Sequence, residues 1–264
     1  MSSKENHIVL TSEDLSIGYA KSDKQTIIAN GLNFKLQKGQ LVGLVGGNGI
    51  GKSTLLRSLS KIQPQLSGKI YINSSELSQL SNEDLAKSLS IVLTEPLQSK
   101  HLTVFELVAL GRHPYTNWIG KLNDTDIEKI NEALRVTNIL DLATKVCAEL
   151  SDGQLQKVMI ARALAQDTDL IILDEPTTHL DMYHKAYILK LLQKLAHDTG
   201  KTILFSSHEI DLAIQLCDQM IVMSKNDCAF GSPCELIEQG VFEQLFPKDL
   251  IAFNKDTGSF KVNK

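Results

Sequence analysis

Two rhythms of apolar and polar positions divide this chain. In the first forty residues, short alternations such as Leu15-Ser16-Ile17-Gly18-Tyr19 and Leu32-Asn33-Phe34-Lys35-Leu36 lie between polar turns, and Gly68-Lys69-Ile70-Tyr71-Ile72 repeats the pattern. Successive strand side chains point to opposite faces, so these segments read as an antiparallel, β-rich edge. Lys38-Gly39-Gln40 marks a turn into an apolar strand, Leu41-Val42-Gly43-Leu44-Val45. Residues 90–93 are a second buried strand. From about residue 100 to 165 the period becomes helical: Val104, Leu107, Val108 and Leu110 share one helix, and Asp124–Val136 forms another, with acids early where the helix dipole favours them. Strands (Leu170–Leu173, 202–206, 219–224) then alternate with helices (181–199, 209–216). That alternation predicts a parallel sheet with helices on both faces, the helical stretch being an insertion between two of its strands.

Composition narrows the class. The 264 residues are 42% hydrophobic and 22% charged, with a net charge of −4, as in an ordinary globular protein without the basic excess of a nucleic-acid binder. No run approaches the ~18 apolar residues that cross a bilayer, and the N-terminus lacks the apolar stretch of a signal peptide. Cys147, Cys217, Cys228 and Cys234 form no C-x-x-C pair and read as reduced packing residues of a cytoplasmic protein.

The candidate chemistry begins at Gly46-Gly47-Asn48-Gly49-Ile50-Gly51-Lys52-Ser53, which fits G-x-x-x-x-G-K-[ST] between the Leu41 strand and a helix carrying Leu55, Leu56 and Leu59. A strand, a glycine loop and a helix N-terminus make a phosphate cradle; Lys52 supplies charge to the β- and γ-phosphates and Ser53 a hydroxyl to Mg²⁺. Leu170-Ile171-Ile172-Leu173-Asp174-Glu175 is an apolar strand ending in two acids, which would carry Asp174 to the metal and Glu175 to the attacking water. Leu150-Ser151-Asp152-Gly153-Gln154 opens a helix and offers a second anion site at its N-terminus, although alone it is only a cap.

Together and in this order, these segments resemble the nucleotide-binding subunit of an ATP-binding-cassette (ABC) transporter, over nearly the whole chain. Gly46–Ser53 is similar to Walker A, and residues 150–154 to the signature LSGGQ with Asp152 at a glycine. Residues 171–175 resemble Walker B with its glutamate, Thr178-His179-Leu180-Asp181 the D-loop, and Ser207-His208-Glu209 the switch histidine. The resemblance implies an α/β P-loop NTPase fold with a RecA-like core, an N-terminal antiparallel β-subdomain and an inserted helical subdomain. Residues 1–94 and 166–264 would form the core, 95–165 the insertion with the signature, and 241–264 a C-terminal extension without assigned chemistry. It implies catalysis by Glu175, His208 and Lys52. Nucleotide contacts would come from Tyr19 (stacked on adenine), Gly46, Asn48, Gly49, Gly51, Lys52, Ser53, Thr54, Ser151, Gly153, Gln154 and Asp181. Metal contacts would come from Ser53, Asp174 and either Thr94 or Glu95, which stand where the family has glutamine.

Leu107-Val108-Ala109-Leu110-Gly111-Arg112-His113-Pro114-Tyr115 resembles importers of iron-siderophores, haem and cobalamin; read alone, Arg112 and His113 are a solvated helix end. The resemblance further implies ATP and Mg²⁺ as cofactors, a head-to-tail homodimer, and a multi-span permease of two chains docked near residues 94–112. A substrate-binding protein would act indirectly, nucleic acid would have no part, and the ATPase would sit on the inner face of the membrane. A soluble ABC ATPase of assembly or repair, an exporter subunit and a scaffold without useful hydrolysis are the rival readings.

Overall fold

The computed structural model describes residues 7–21, 24–94, 100–225, 227–247 and 249–263. The opening alternations extend into two 14-residue arms, β1 (Ile8–Lys21) and β2 (Lys24–Gln37), paired antiparallel. After β3 (Leu41–Gly46) and α1 (Lys52–Leu59) come β4 (Ser67–Ile72) and β5 (Ser75–Glu76), which complete a four-stranded sheet in the order β2-β1-β4-β5. Next are α2 (Asn82–Ser88), β6 (Leu89–Val92), α3 (Val104–Ala109), α4 (Asp124–Val136) and α5 (Asp152–Ala165). The chain continues with β7 (Leu170–Leu173), α6 (Met182–Thr199), β8 (Thr202–Ser207), α7 (Ile210–Leu216), β9 (Gln219–Met223), β10 (Cys228–Gly231) and α8 (Pro233–Glu238). Strands β11 (Ile251–Asn254) and β12 (Ser259–Val262) close it as an antiparallel hairpin.

The second sheet runs β10-β9-β3-β8-β7-β6, parallel except for the antiparallel β10. Strands β3 and β7 read as unbroken apolar runs because both faces are covered. In β3, Leu41 and Val45 point into one core with the helical segment, while Val42 and Leu44 point into a second core with α1 and the antiparallel sheet. Ile171 and Leu173 against Leu170 and Ile172 repeat that division in β7. Val92, Leu173, Phe205 and Gly43 stand in register across β6, β7, β8 and β3. The loops after these four strands therefore leave from one edge.

Between β6 and β7 the described residues are helical apart from turns and one isolated bridge, and α3, α4 and α5 pack on one another. Arg112 departs from the solvated end expected of it. It is 5% exposed, donating from Nε to Asp126 Oδ1 at 2.9 Å and from Nη1 to the Ala165 carbonyl at 2.7 Å. Cys147 and Cys217 pack inside as expected, whereas Cys234 is exposed. The C-terminal hairpin adds an aromatic cluster: Phe253 lies 5.2 Å from Phe242 and 4.9 Å from Phe260, ring centre to ring centre, and partners the core beside α7 and α8.

Candidate active site

The glycine loop leaves β3 at Gly46, turns through the exposed Asn48 and Gly49, and enters α1. At Gly51 only glycine fits: φ is 112°, and an added Cβ would stand 2.3 Å from Ile28 Cγ2 of β2. Lys52 is the first helical residue, 5% exposed. Its Nζ donates to the carbonyls of Gly46 (3.0 Å) and Gly47 (3.1 Å) and lies 3.5 Å from His208 Nδ1. Burial pulls its ammonium below the ordinary lysine range, and the carboxylates of Glu175 and Asp174 act in the opposite sense. A charge-bearing side chain is thus held at the loop mouth by backbone oxygens, with the histidine ring beside it.

The end of β8 joins this loop to the acids. Ser206 Oγ donates to Asp174 Oδ1 at 2.7 Å and accepts the N–H of Glu175 at 2.8 Å. Ser53 Oγ, at the start of α1, donates to the same Asp174 oxygen at 3.2 Å. Glu175 has a left-handed backbone, φ 50°, a conformation that costs a non-glycine residue about 1–3 kcal/mol. Its two oxygens are separately engaged: Oε1 is 2.6 Å from His208 Nε2, and Oε2 accepts from Thr178 Oγ1 at 3.0 Å. Lys52, Ser53, Asp174, Glu175 and His208 consequently form one connected network.

The remaining candidates surround it. Tyr19 is half exposed, and its hydroxyl lies 3.2 Å from Thr54 Oγ1. Thr94 Oγ1 donates to the Asp174 carbonyl at 2.8 Å, tying the end of β6 to the acid turn; Glu95 lies outside the described residues. Ser151 and Gln154 bond each other's backbone N–H groups as a capping box, with Gly153 buried between them. Asp181 caps α6. A cavity of ≈ 310 Å³ separates the two groups, walled by Thr94, Asp174, Glu175 and Thr178 on one side and Asp152, Leu155 and Met159 on the other. Ser206 and His184 belong to none of the motifs legible in the sequence, and Thr178 stands there only as one member of a motif. For Ser206 a signal was available: two serines, Ser206 and Ser207, at the end of an otherwise apolar strand.

A strand-loop-helix cradle, an acid pair at the same sheet edge and a bridging histidine match a known family. The ABC transporter family model covers residues 29–178. The chain belongs to the ABC transporter family. This ABC protein is 39% identical to the achromobactin transport ATP-binding protein CbrD of Dickeya dadantii, with 91% of this chain and 88% of that one covered. It is 38% identical to the iron(3+)-hydroxamate import ATP-binding protein FhuC of Bacillus subtilis, over the same shares of the two chains. Among solved structures it is similar to the ATP-binding cassette MJ0796 in a dimeric, post-hydrolysis state with ADP and Pi: TM-score 0.70, 25% identity, 85% of this chain and 98% of that one. It is an ATPase of the ABC fold, and among its described residues no helix is long and apolar enough to cross a membrane.

Proposed function

We propose that this ABC ATPase energises an importer of iron-siderophore complexes, haem or cobalamin, working as a head-to-tail pair of copies on two multi-span permease chains. Names of relatives that carry achromobactin and iron(3+)-hydroxamate support the siderophore class in particular. The observation that carries the chemistry is the network joining Lys52, Ser53, Asp174, Glu175 and His208 at one sheet edge.

In this reading Lys52 exchanges its two carbonyl partners for β- and γ-phosphate oxygens, with Gly46, Asn48, Gly49, Gly51, Ser53 and Thr54 lining the phosphates and Tyr19 stacking on adenine. Glu175 takes the proton of the attacking water, its carboxylate aimed by His208 and Thr178. Phosphoryl transfer asks little of a protein beyond such positioning and charge. The donors Ser53 Oγ and Asp174 are oxygens close together, which suits Mg²⁺. Asp174 and Ser53 would hold that ion, with Thr94 or Glu95 beside it, and bound Mg²⁺ would neutralise phosphate charge. Ser151, Gly153, Gln154 and Asp181 face the nucleotide held by the other copy, as the dimeric state of the MJ0796 cassette supports. Residues 95–165 form the permease-facing unit, residues 241–264 an extension, and the ATPase sits at the inner face of the membrane. A substrate-binding protein delivers the cargo from the opposite side, and nucleic acid takes no part.

Co-expression with the multi-span permease tests this. The chain should fractionate with membranes, and its ATP turnover should rise when the binding protein loaded with ferric siderophore is added. An ATPase that stays soluble and whose turnover ignores the permease would sink the transport reading.

A further inference from the structure

His184 stands outside the Lys52–Glu175 network, yet it touches both elements of the second group. Its backbone N–H donates to Asp181 Oδ1 at 2.9 Å, and its ring Nδ1 lies 2.9 Å from each Asp181 carboxylate oxygen. Carboxylate oxygens only accept, so Nδ1 carries the proton in this contact. The ring also meets Tyr183 edge-on, 5.4 Å between centres. These contacts fix which way the imidazole faces. It faces the signature turn: ring Cδ2 is 3.2 Å, and Cγ and Nε2 are 3.8 Å, from where a Cβ on Gly153 would stand. Gly153 is buried although Ser151 and Asp152 before it are exposed. The half-exposed imidazole, in the first turn of α6, thus lies against the N-terminus of α5, the two elements being separated in the chain by the whole of β7.

We propose that His184 is a positioning residue that locks the Asp181 turn to the Ser151–Gly153 turn, so that both meet a second copy of this chain as one preassembled face. The inference rests on the head-to-tail reading given above. Its physical content is preorganisation. Two turns that move independently would each lose freedom on closing over the other copy's nucleotide, whereas a joined pair has already lost it. A methyl on Gly153 would stand 3.2 Å from the ring, so the imidazole would have to shift by a few tenths of an ångström to admit it.

The test uses chain carrying His184→Ala or His184→Gln, each alone and combined with Glu175→Gln. In the chains carrying a His184 substitution alone, binding of a fluorescent ATP analogue should change by no more than about twofold. Turnover and ATP-driven dimerisation of the His184→Ala chain should fall about 5- to 150-fold, the range of typical coupling energies, with the Hill coefficient for ATP moving toward unity. His184→Gln should restore most of the loss, because its amide still donates to Asp181 and lies flat on Gly153. Unchanged turnover, Hill coefficient and dimer fraction in His184→Ala would overturn the proposal, as would a loss confined to analogue binding. If the Glu175→Gln parent stays monomeric with ATP, the head-to-tail reading itself fails, and the positioning role fails with it.

Discussion

Glu175 is fixed at its backbone N–H by Ser206 and at its two side-chain oxygens by His208 and Thr178, in a left-handed conformation the chain would not adopt unaided. A carboxylate restrained this way can serve as a base with little reorganisation. Glu175→Gln preserves the shape and an acceptor for His208 but cannot take a proton from water. Its ATP turnover should drop about 10²–10⁴-fold while ATP binding persists. Light scattering after size-exclusion chromatography should then find an ATP-dependent dimer; a monomer turning over at the parent rate would contradict the assignment. Thr94 shows the limit of reading one position from the sequence. Its hydroxyl proton goes to the Asp174 carbonyl, so in this state it ties two strand ends together.

Among the elements, Arg112 fastens the helical segment. It lies in the short 3₁₀ stretch after α3, pairs with Asp126 in the first turn of α4, and donates to Ala165 at the last turn of α5. Asp126 is 1% exposed and also closes the capping box with Asn123. Removing the guanidinium would strand a buried carboxylate. Arg112→Ala should therefore cost about 3–5 kcal/mol in urea unfolding, the range for breaking a buried pair from one side. A loss below about 1 kcal/mol, the surface-pair range, would show the pair to be hydrated in solution. The sequence suggested a solvated end here because a charged residue after an apolar run commonly is one. Whether the chain then turns back under its neighbours is decided by packing.

For the molecule taken entire, the permease contact expected near residues 94–112 falls on a segment with one buried and one exposed side, residues 95–99 lying outside the described ones. Val104, Leu107, Val108, Gly111 and Arg112 are buried, so charges placed there would disrupt the core before they uncoupled anything. Leu110 of that segment is exposed, as are Tyr115, Trp118 at 94% and Ile119 at 68% just beyond it. Asn117 accepts the N–H groups of Ile119 and Lys121, forming a turn that presents Trp118 and Ile119 outward. Burying an isoleucine is worth about 1.5–3 kcal/mol, so this turn is a strong candidate for docking. Trp118→Ser with Ile119→Ser should weaken permease association at least about tenfold, the equivalent of about 1.4 kcal/mol. Basal ATP hydrolysis of the isolated chain should be unaffected. Trp118 is the chain's single tryptophan, so its fluorescence reports docking directly; an emission maximum that does not move on permease binding would exclude this face.

The order of elements and the strand-loop-helix form around the glycine loop were legible in the residues alone. Those rest on local chemistry: Gly51 because only glycine fits its conformation beside Ile28, and β3 and β7 because strands covered on both faces must be apolar throughout. The two acids after β7 were legible too, since a buried strand delivers the residues at its end to a fixed edge. The 14-residue arms of the first hairpin were longer than their alternation suggested, because register shifts along β1 and β2 interrupt the period. Which residues meet across elements was settled by the fold in three dimensions. Parallel β8 lies between β3 and β7, and that placement makes Ser206 the bridge to Asp174 and Glu175, as the approach of the start of α5 to the start of α6 makes His184 the cover of Gly153. Such pairings depend on strand order and on the direction of side chains at chain corners, and neither leaves a period in the sequence.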